Sequence, residues 1–448
     1  MCRISVIMPS LNVGHYIKKC MESVLAQSFK DIEIICVDAG STDGTYEILQ
    51  KFACKDNRIK VMHSDIKSYG YQLNLAIKNA CGDYIGIVET DDFIDKDMYS
   101  NLYEVAIKYN VDYVKGNYKE FLEKNDKTII SDYKRIRLPQ KYLDSKIDLE
   151  KETEARLIDI NHIWSGIYSK KFLQDNNIKF NETPGASFQD TSFSILVGML
   201  AKSCVYADIA MYYYRIDNAD SSVKSDSKIN CIIDEFRYVE SQLNERNLFS
   251  DNDIKNLINK VKINSYKWNY SRLSIQSAKK FANNVKQELL AMKEMKYIDE
   301  VFDYNEQKYI DIILGLEEDI PDYSIDAFDN TIKLIDIFKQ NKKIYLICAG
   351  DYANRIICLQ EYMGSTSIAA VFDNAELKVG TIFNGYKIKS TSELKNTDGK
   401  YIIASRYACA DIYDQIISKC EKSVEIIKCE ELPQFENMIN IYLKYANK

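Results

Sequence analysis

Histidine is scarce in this sequence: 448 residues hold three, His15, His63 and His162. The 12 cysteines include no C-x-x-C pair, so the ligand pattern of a structural zinc site is missing. Several cysteines lie inside apolar runs, such as Cys36 in "IEIICVD" and Cys348 in "IYLICAG". These read as reduced, mostly buried thiols of a cytoplasmic protein. No apolar run reaches the roughly 18 to 20 residues of a membrane span; "FSILVGMLA" is among the longest. The opening "MCRISVIMPS" enters a strand-like run at once and shows no signal-peptide pattern. A formal net charge of -7, with no basic stripe, argues against a nucleic-acid or anionic-lipid partner. What remains, 46% apolar and 28% charged residues over this length, is the composition of a globular chain of two or three domains.

Over the first hundred residues strand and helix patterns alternate. "ISVIM" reads as a buried strand and "HYIKKCMESVLAQ" as a helix; "IEIICV", "YEILQKFA", "IKVMHS", "YQLNLAIKNA" and "YIGIV" continue the series. Strands alternating with helices of about 10 to 15 residues predict a doubly wound parallel sheet, with every strand's C-terminal end at one edge. That edge is where open α/β sheets bind ligands. The residues just past the strands are Pro9, Ser10, Leu11 and Asn12; Asp38; His63, Ser64 and Asp65; and then Glu89, Thr90, Asp91 and Asp92. The mouth is rich in carboxylates and hydroxyls and poor in Lys and Arg.

A mouth of that kind binds phosphate through a divalent cation. The other common cradles are missing: there is no G-x-x-x-x-G-K-[ST] loop, and "PSLNVGH" is not a G-x-G-x-x-G turn. Mg2+ or Mn2+ is held by one or two carboxylates, and substrate phosphates complete the octahedron. Glu89 and Asp91, two apart in a strand, point to one face, with Asp92 on the turn beyond. The competing reading is a solvated loop that caps the helix "KDMYSNLYEVAIKYN". His63 reads either as a strand-end polar residue or as a ligand.

The stretches "ISVIMPSLN", "SVLAQSFKDIEIICVDAGSTDGT" and "GYQLNLAIKNACGDYIGIVETDD", then "IWSGIYSKKFL", "ETPGASFQDTSF" and "YYYRIDNADSS", resemble the family 2 glycosyltransferases of GT-A fold. Together they span about the first half of the chain, and together they are specific where each alone is weak. The resemblance implies metal-dependent, inverting transfer of a sugar from a nucleotide-diphosphate donor, a UDP-sugar, to an acceptor hydroxyl. It implies that Pro9 to Asn12 line the nucleotide, that Asp38 lies at the base and ribose end, and that Asn74 sits close to the diphosphate. Glu89, Thr90 and Asp91 take the place of the family's D-x-D element. Asp91, Asp92 or both would hold the metal, and Asp190 in "FQDTSF" would be the catalytic base.

Three departures from that pattern stand out. Ala39 occupies the place of a second acid that often contacts uracil, Glu89 replaces the first Asp of D-x-D, and "GYQLN" lacks the Arg that often precedes the Asn. Position alone gives Asp190 a second reading as a helix N-cap. Trp164, one of two Trp, reads as a stacking floor for an acceptor sugar or as core. Arg215 reads as a phosphate partner or as the partner of a neighbouring acid.

The expected domains are a GT-A domain at 1–225, a helical segment at 226–335, and a small Rossmann-like α/β domain at 336–448, with the linker beginning near Pro321. In the last, the dinucleotide fingerprint needs Gly at Cys348, Gly350 and Ala353, and only Gly350 is Gly; Asp373 falls where a ribose-binding acid would. Docking or scaffolding is therefore the expected role of that domain. The implied setting is cell-surface polysaccharide assembly, with a saccharide or lipid-linked saccharide acceptor, in the cytoplasm or at the inner face of the membrane. The alternatives are a sugar-nucleotide-binding scaffold without turnover and a two-activity enzyme whose C-terminal domain binds a dinucleotide.

Overall fold

The computed structural model describes residues 2–124, 127–130, 138–159, 161–218, 225–273, 275–294, 325–394 and 399–405, with short stretches at 301–302, 307, 310–311, 313–314, 412–413, 416, 425–429, 432, 438–439 and 442. By contact the chain divides into two compact units. One is Met1–Lys119 with Lys134–Asp319; the other is Glu120–Tyr133 with Ile320–Lys448. Pro321 lies outside the described residues.

The first unit opens with β1 (Ile4–Ser10), α1 (Ile17–Leu25), β2 (Ile32–Asp38), α2 (Thr45–Ala53), β3 (Ile59–His63), α3 (Tyr69–Asn79) and β4 (Tyr84–Ile87). All seven residues of β1 and of β2 are buried, as expected of inner parallel strands covered on both faces. α1 buries Ile17, Cys20, Met21 and Val24, a stripe at three- and four-residue steps that lays one helix face on the sheet. There follow β5 (Phe93–Ile94), α4 (Met98–Tyr109) and β6 (Tyr113–Lys124), whose end from Glu120 falls in the second unit together with β7 (Lys127–Ile130); the first unit resumes with β8 (Ile147–Asp148), β9 (Gly166–Ser169), α5 (Lys170–Asp175), α6 (Gln189–Leu200) and β10 (Ser203–Arg215). The strand order is β3-β2-β1-β4-β9-β6-β10-β5. β3, β2, β1 and β4 are mutually parallel, and β9 joins β4 antiparallel. The sheet is thus mixed α/β and mostly parallel where the nucleotide was expected. Parallel pairing of Ser10 with Asp38 and of Asp38 with His63 brings three strand ends to one edge.

The middle segment is helical: α7 (Cys231–Glu245), α8 (Asn252–Arg272) and α9 (Ile275–Glu294). α7 buries Ile232, Ile233, Phe236, Val239 and Leu243 in the same hydrophobic core as the sheet.

The second unit has α10 (Ile325–Lys339), β11 (Ile344–Ile347), α11 (Asp351–Met363), β12 (Ile368–Asp373), β13 (Ile382–Phe383), β14 (Tyr386–Ser390), β15 (Lys400–Ile403) and β16 (Ile426–Lys428). Its sheet runs β13-β14-β12-β11-β15-β16, parallel except for β13. No helix among the described residues is long and apolar enough to cross a membrane.

Candidate active site

The site is built where the parallel strands end. The turns after β1 and β2 brace each other. Asn12, in the left-handed region at φ 53, accepts the Thr42 N–H on Oδ1 at 2.9 Å, and its own N–H donates to Ser41 Oγ at 2.9 Å. Asp43 accepts from the Gly14 N–H at 2.8 Å and from the Thr45 hydroxyl at 2.6 Å. Asp38 is buried and folds back on its own turn: Oδ2 accepts from the N–H groups of Gly40 (2.9 Å) and Ser41 (3.0 Å), and Oδ1 from Ser41 Oγ (2.5 Å). Pro9 and Ser10 are the last residues of β1, and Leu11 is exposed beyond them. The Ser10 hydroxyl is buried without a hydrogen-bond partner, a polar group left open at the strand end.

The acids past β4 differ from one another in how they are held. Asp92 is 2% exposed, and both its oxygens accept from the protein: Oδ2 from the Tyr212 hydroxyl at 2.6 Å, Oδ1 from the Arg215 N–H at 2.7 Å. Thr90 is also buried, its hydroxyl donating to the Pro9 carbonyl at 2.9 Å. Asp91 is half-buried; Oδ2 accepts from Asn218 Nδ2 at 2.7 Å, and its carbonyl from Arg215 Nε at 2.8 Å. Glu89, half-buried, accepts from the Tyr69 hydroxyl, and its N–H donates to Tyr212 Oη at 3.1 Å. Burial raises the pKa of all three acids. Glu89 is pushed up to about 8, drawn down by Tyr69 and raised further by Asp91 and Asp190. Burial lifts Asp91 against the hydrogen bond of Asn218 and the charge of Arg215, and lifts Asp92 with added repulsion from Asp91. Carboxylates that raise one another's protonation in this way want a cation among them.

Arg215 supplies part of that charge. Of its two expected readings the structure gives the neighbouring acid: Nη1 pairs with Asp217 at 3.1 Å, and the guanidinium lies 4.5 Å from the Tyr16 ring centre. A divalent ion fits the remainder of the donor set in a limited way. Asp91 and Glu89 are half-buried acids on one strand end, enough for an ion completed by phosphate oxygens. Asp92, proposed from sequence as a second ligand, has its oxygens committed to holding β10 against the β4 end. Among the described residues, the group of three ligand atoms within 4.8 Å of one another is Cys2, Glu33 and Cys81, and the acids past β4 form no such group.

Asp190 comes to the same edge from another element. The α6 cap position is Phe188, without a side-chain cap, so Asp190 is not the N-cap but sits in the first turn. The loop before it docks on the start of α3. The Gly185 N–H donates to the Lys67 carbonyl at 2.8 Å, and the Tyr69 N–H to the Gly185 carbonyl at 3.0 Å. The helix can approach so closely because residue 70 is glycine: a Cβ there would lie 2.0 Å from the Asn181 carbonyl oxygen. Tyr69 therefore touches the base loop with its backbone and Glu89 with its hydroxyl. Burial raises the Asp190 carboxyl to about 6, against the Thr191 N–H and the nearby His162 and Lys115, which pull it down.

Two expected residues have their side chains engaged by other parts of the protein. Asn74 was placed near the diphosphate. Its Nδ2 donates to the Phe180 carbonyl and to Glu182, both at 2.9 Å, and its Oδ1 accepts from the Phe180 N–H at 2.9 Å. The whole amide thus pins the base loop. Trp164 is 6% exposed, stacked 4.1 Å from Tyr212 and 5.4 Å from Tyr214. The core reading describes it, and no open face remains for an acceptor sugar. His63, exposed, lies 3.4 Å from Asp65.

Several site residues were not singled out from sequence. Lys115 and Asp159 form a buried pair at 3.0 Å, and His162 Nδ1 lies 2.5 Å from the other Asp159 oxygen. Neighbouring charge holds Asp159 well below the usual carboxylate range despite its burial. Glu235 of α7 accepts from Asn181, Thr183 and Ser192, tying the helical segment to the base loop. Their partners are 44 and 43 residues away in the chain, in Lys115–Asp159 and Ser192–Glu235 respectively, so local spacing carried no signal. The faint one was an isolated His in "NHIWSGIY".

Residues 5–162 match the family model described as Glycosyl transferase family 2. Over 238 residues the chain is 27% identical to Glycosyltransferase GlyA of Streptococcus pneumoniae serotype 4, an alignment covering 52% of this chain and 33% of that one. Over 121 residues it is 41% identical to Glycosyltransferase GlyG of the same organism, covering 27% of this chain and 40% of that one. The chain therefore spans less than half the length of either relative. S. aureus TarS 1-349 aligns at 22% identity over 71% of this chain and 94% of that one, with a TM-score of 0.42, too loose for residue correspondences. The matched stretch takes in Ser10, Asp38 and all three acids past β4, so this edge of the sheet lies within the residues that match that model.

Proposed function

We propose that this chain is a glycosyltransferase that moves a sugar from a nucleotide-diphosphate donor, a UDP-sugar, to the hydroxyl of a saccharide or lipid-linked saccharide, with inversion, in the assembly of a cell-surface polysaccharide. The observation that carries the reading is that half-buried Glu89, bonded to the Tyr69 hydroxyl at the parallel-sheet edge, lies close enough to both Asp91 and Asp190 for their charges to raise its pKa. The turns after β1 and β2, with the open Ser10 hydroxyl, form the floor for the nucleoside. Asp91, with Glu89 beside it, would hold Mn2+ or Mg2+. When bound, that ion offsets the negative charge that grows on a departing diphosphate.

Asp190 takes the proton. The acceptor oxygen forms a bond to the anomeric carbon, the bond from that carbon to the diphosphate oxygen breaks with its electron pair, and the acceptor proton passes to the Asp190 carboxylate. A base near 6 is mostly ionised at neutral pH, and it is a stronger base than an ordinary aspartate near 3.9. His162, fixed by Asp159, keeps that pKa from rising further. Arg215 and Tyr212 hold the β4 end in place. The second unit, read as a Rossmann-like domain, serves docking.

Calorimetric titration with UDP, GDP and CDP, each with and without Mn2+, tests the reading. UDP binding that strengthens with Mn2+ is the expected result, followed by UDP release from a UDP-sugar in the presence of acceptor. Binding of none of the three, or binding indifferent to Mn2+, would remove the proposal's basis. Tight UDP-sugar binding without release across acceptors would leave a scaffold.

A further inference from the structure

The sequence has two tryptophans, and the structure treats them in opposite ways. Trp164 is sealed among tyrosines, whereas Trp268 on α8 is 36% exposed. Trp268 is nevertheless held firmly. The Phe188 ring meets it edge-on at 5.2 Å and 85°, and the Arg272 guanidinium lies 5.3 Å from its ring centre and 5.0 Å from that of Phe188. Arg272 is fixed in turn by hydrogen bonds from Nε to Asn269 Oδ1 (3.0 Å), Nη1 to the Ser225 carbonyl (2.9 Å) and Nη2 to the Lys228 carbonyl (3.1 Å). The result is a rigid aromatic corner with part of an indole left in water. An indole held by fixed neighbours, with part of its surface in water, offers an apolar surface to a ligand at little cost in ordering.

The corner adjoins the base. Phe188 has left-handed backbone angles, φ 64 and ψ 31, uncommon for a residue with a Cβ, and Asp190 follows two positions later. Backbone strain of that kind persists where the surroundings enforce it and gathers at ligand sites. At its other end the corner grips the Ser225 and Lys228 carbonyls. One aromatic platform is therefore tied to the residue that caps α6, the helix whose first turn carries Asp190.

We propose that Trp268 is the floor of a saccharide subsite, taking the apolar C–H face of a pyranose ring of the acceptor beside Asp190. A pyranose presents carbon-bound hydrogens on its faces and hydroxyls at its rim. The indole's negative face attracts the former, and the rim stays free to offer a hydroxyl to Asp190. This assignment rests on the transferase reading, which makes Asp190 the base, and it moves the acceptor role from Trp164 to Trp268.

Acrylamide quenching of the full chain tests it, because the buried Trp164 is shielded and the quenchable emission comes from Trp268. The probes are the methyl glycosides of glucose, galactose, mannose and N-acetylglucosamine, with cellobiose and lactose. At least one is expected to protect Trp268 saturably. By calorimetry, Trp268→Ala should weaken that sugar about tenfold or more, a change of about 1.4 kcal/mol. Trp268→Tyr should keep most of the affinity, and UDP binding should be unchanged in both variants. Protection by none of the six sugars, or equal sugar binding by wild type and Trp268→Ala, overturns the proposal; so does a parallel loss of UDP affinity in the variant. Failure of wild type to bind UDP counts against the transferase reading, while the sugar titration still decides this one.

Discussion

Both units end parallel strands in acids, yet the two edges are chemically opposite. In the second unit the acid is Asp373, at the end of β12. Its Oδ2 accepts from the Ala349 N–H at 2.9 Å and from Lys378 Nζ at 3.1 Å, and its Oδ1 from the Ala375 N–H at 2.8 Å. Lys378 also donates to the Ala349 carbonyl at 3.0 Å. The carboxylate that a ribose would need is already used to close the turn after β11, where Cys348 stands at φ 76. In the first unit no side-chain donor among the described residues hydrogen-bonds Asp190, and Asp91 has one such donor, Asn218. Topology delivers acids to both edges; Asp38 and Asp92 are satisfied by the protein's own donors as Asp373 is, and what sets the first edge apart is that Asp91 and Asp190 beside them are not.

The sharpest way to break this comparison is Asp190→Asn. General-base removal costs about 100- to 10,000-fold in turnover, and the nucleotide affinity should stay nearly intact, because the proposed base acts on the acceptor hydroxyl and not on the nucleotide. Wild type should also show its acid limb in kcat/KM near pH 6. The active form is the carboxylate, burial raises its pKa to about 6, and activity is therefore lost as pH falls through that value. A limb near the ordinary aspartate value of about 3.9 would mean that Asp190 is as well solvated as any surface acid.

Next in size is the contrast between two adjacent acids. Asp91→Asn should remove the Mn2+-dependent part of UDP affinity while leaving thermal stability close to wild type. Asp92→Asn should do the reverse. Its amide would turn an NH2 toward either Tyr212 or the Arg215 N–H, leaving a buried group unsatisfied at a cost of about 1–3 kcal/mol. Melting curves and calorimetry on the pair separate the roles. Equal loss of Mn2+ response in both variants would return Asp92 to the ligand set.

How much of this could be read from the residues follows from the range of the interactions. The alternation of buried strands and one-faced helices is a local signal, so the parallel edge and the placing of Asp38 and the three acids past β4 were legible. Asp190 was reached through a motif resemblance, and its position in the first turn of α6, not at the cap, required the left-handed turn at Phe188. Side-chain commitments were not legible. Asn74 and Trp164 sit in the right stretches, but the base loop 106 residues on from Asn74 and the tyrosines of β10 claim them. Lys115–Asp159–His162 could not be assembled by spacing, since a buried pair joins strand β6 to a turn far along the chain.

The smallest effect belongs to the second edge and sharpens the comparison from its other side. Asp373→Ala removes an acceptor from three donors: the N–H groups of Ala349 and Ala375 and the Lys378 ammonium. The two N–H groups lie in turns, where water can replace part of what is lost, so the destabilisation should sit at the low end of about 1–3 kcal/mol. UDP affinity and transfer rate should stay at wild-type values, since the site acids all lie in the first unit. Wild type titrated with NAD should give no binding heat, because the ribose-binding position already serves the fold. Saturable NAD binding that disappears in Asp373→Ala would show that the internal bonds of this edge yield to a ligand, and the distinction between satisfied and open carboxylates would no longer separate the two sheets.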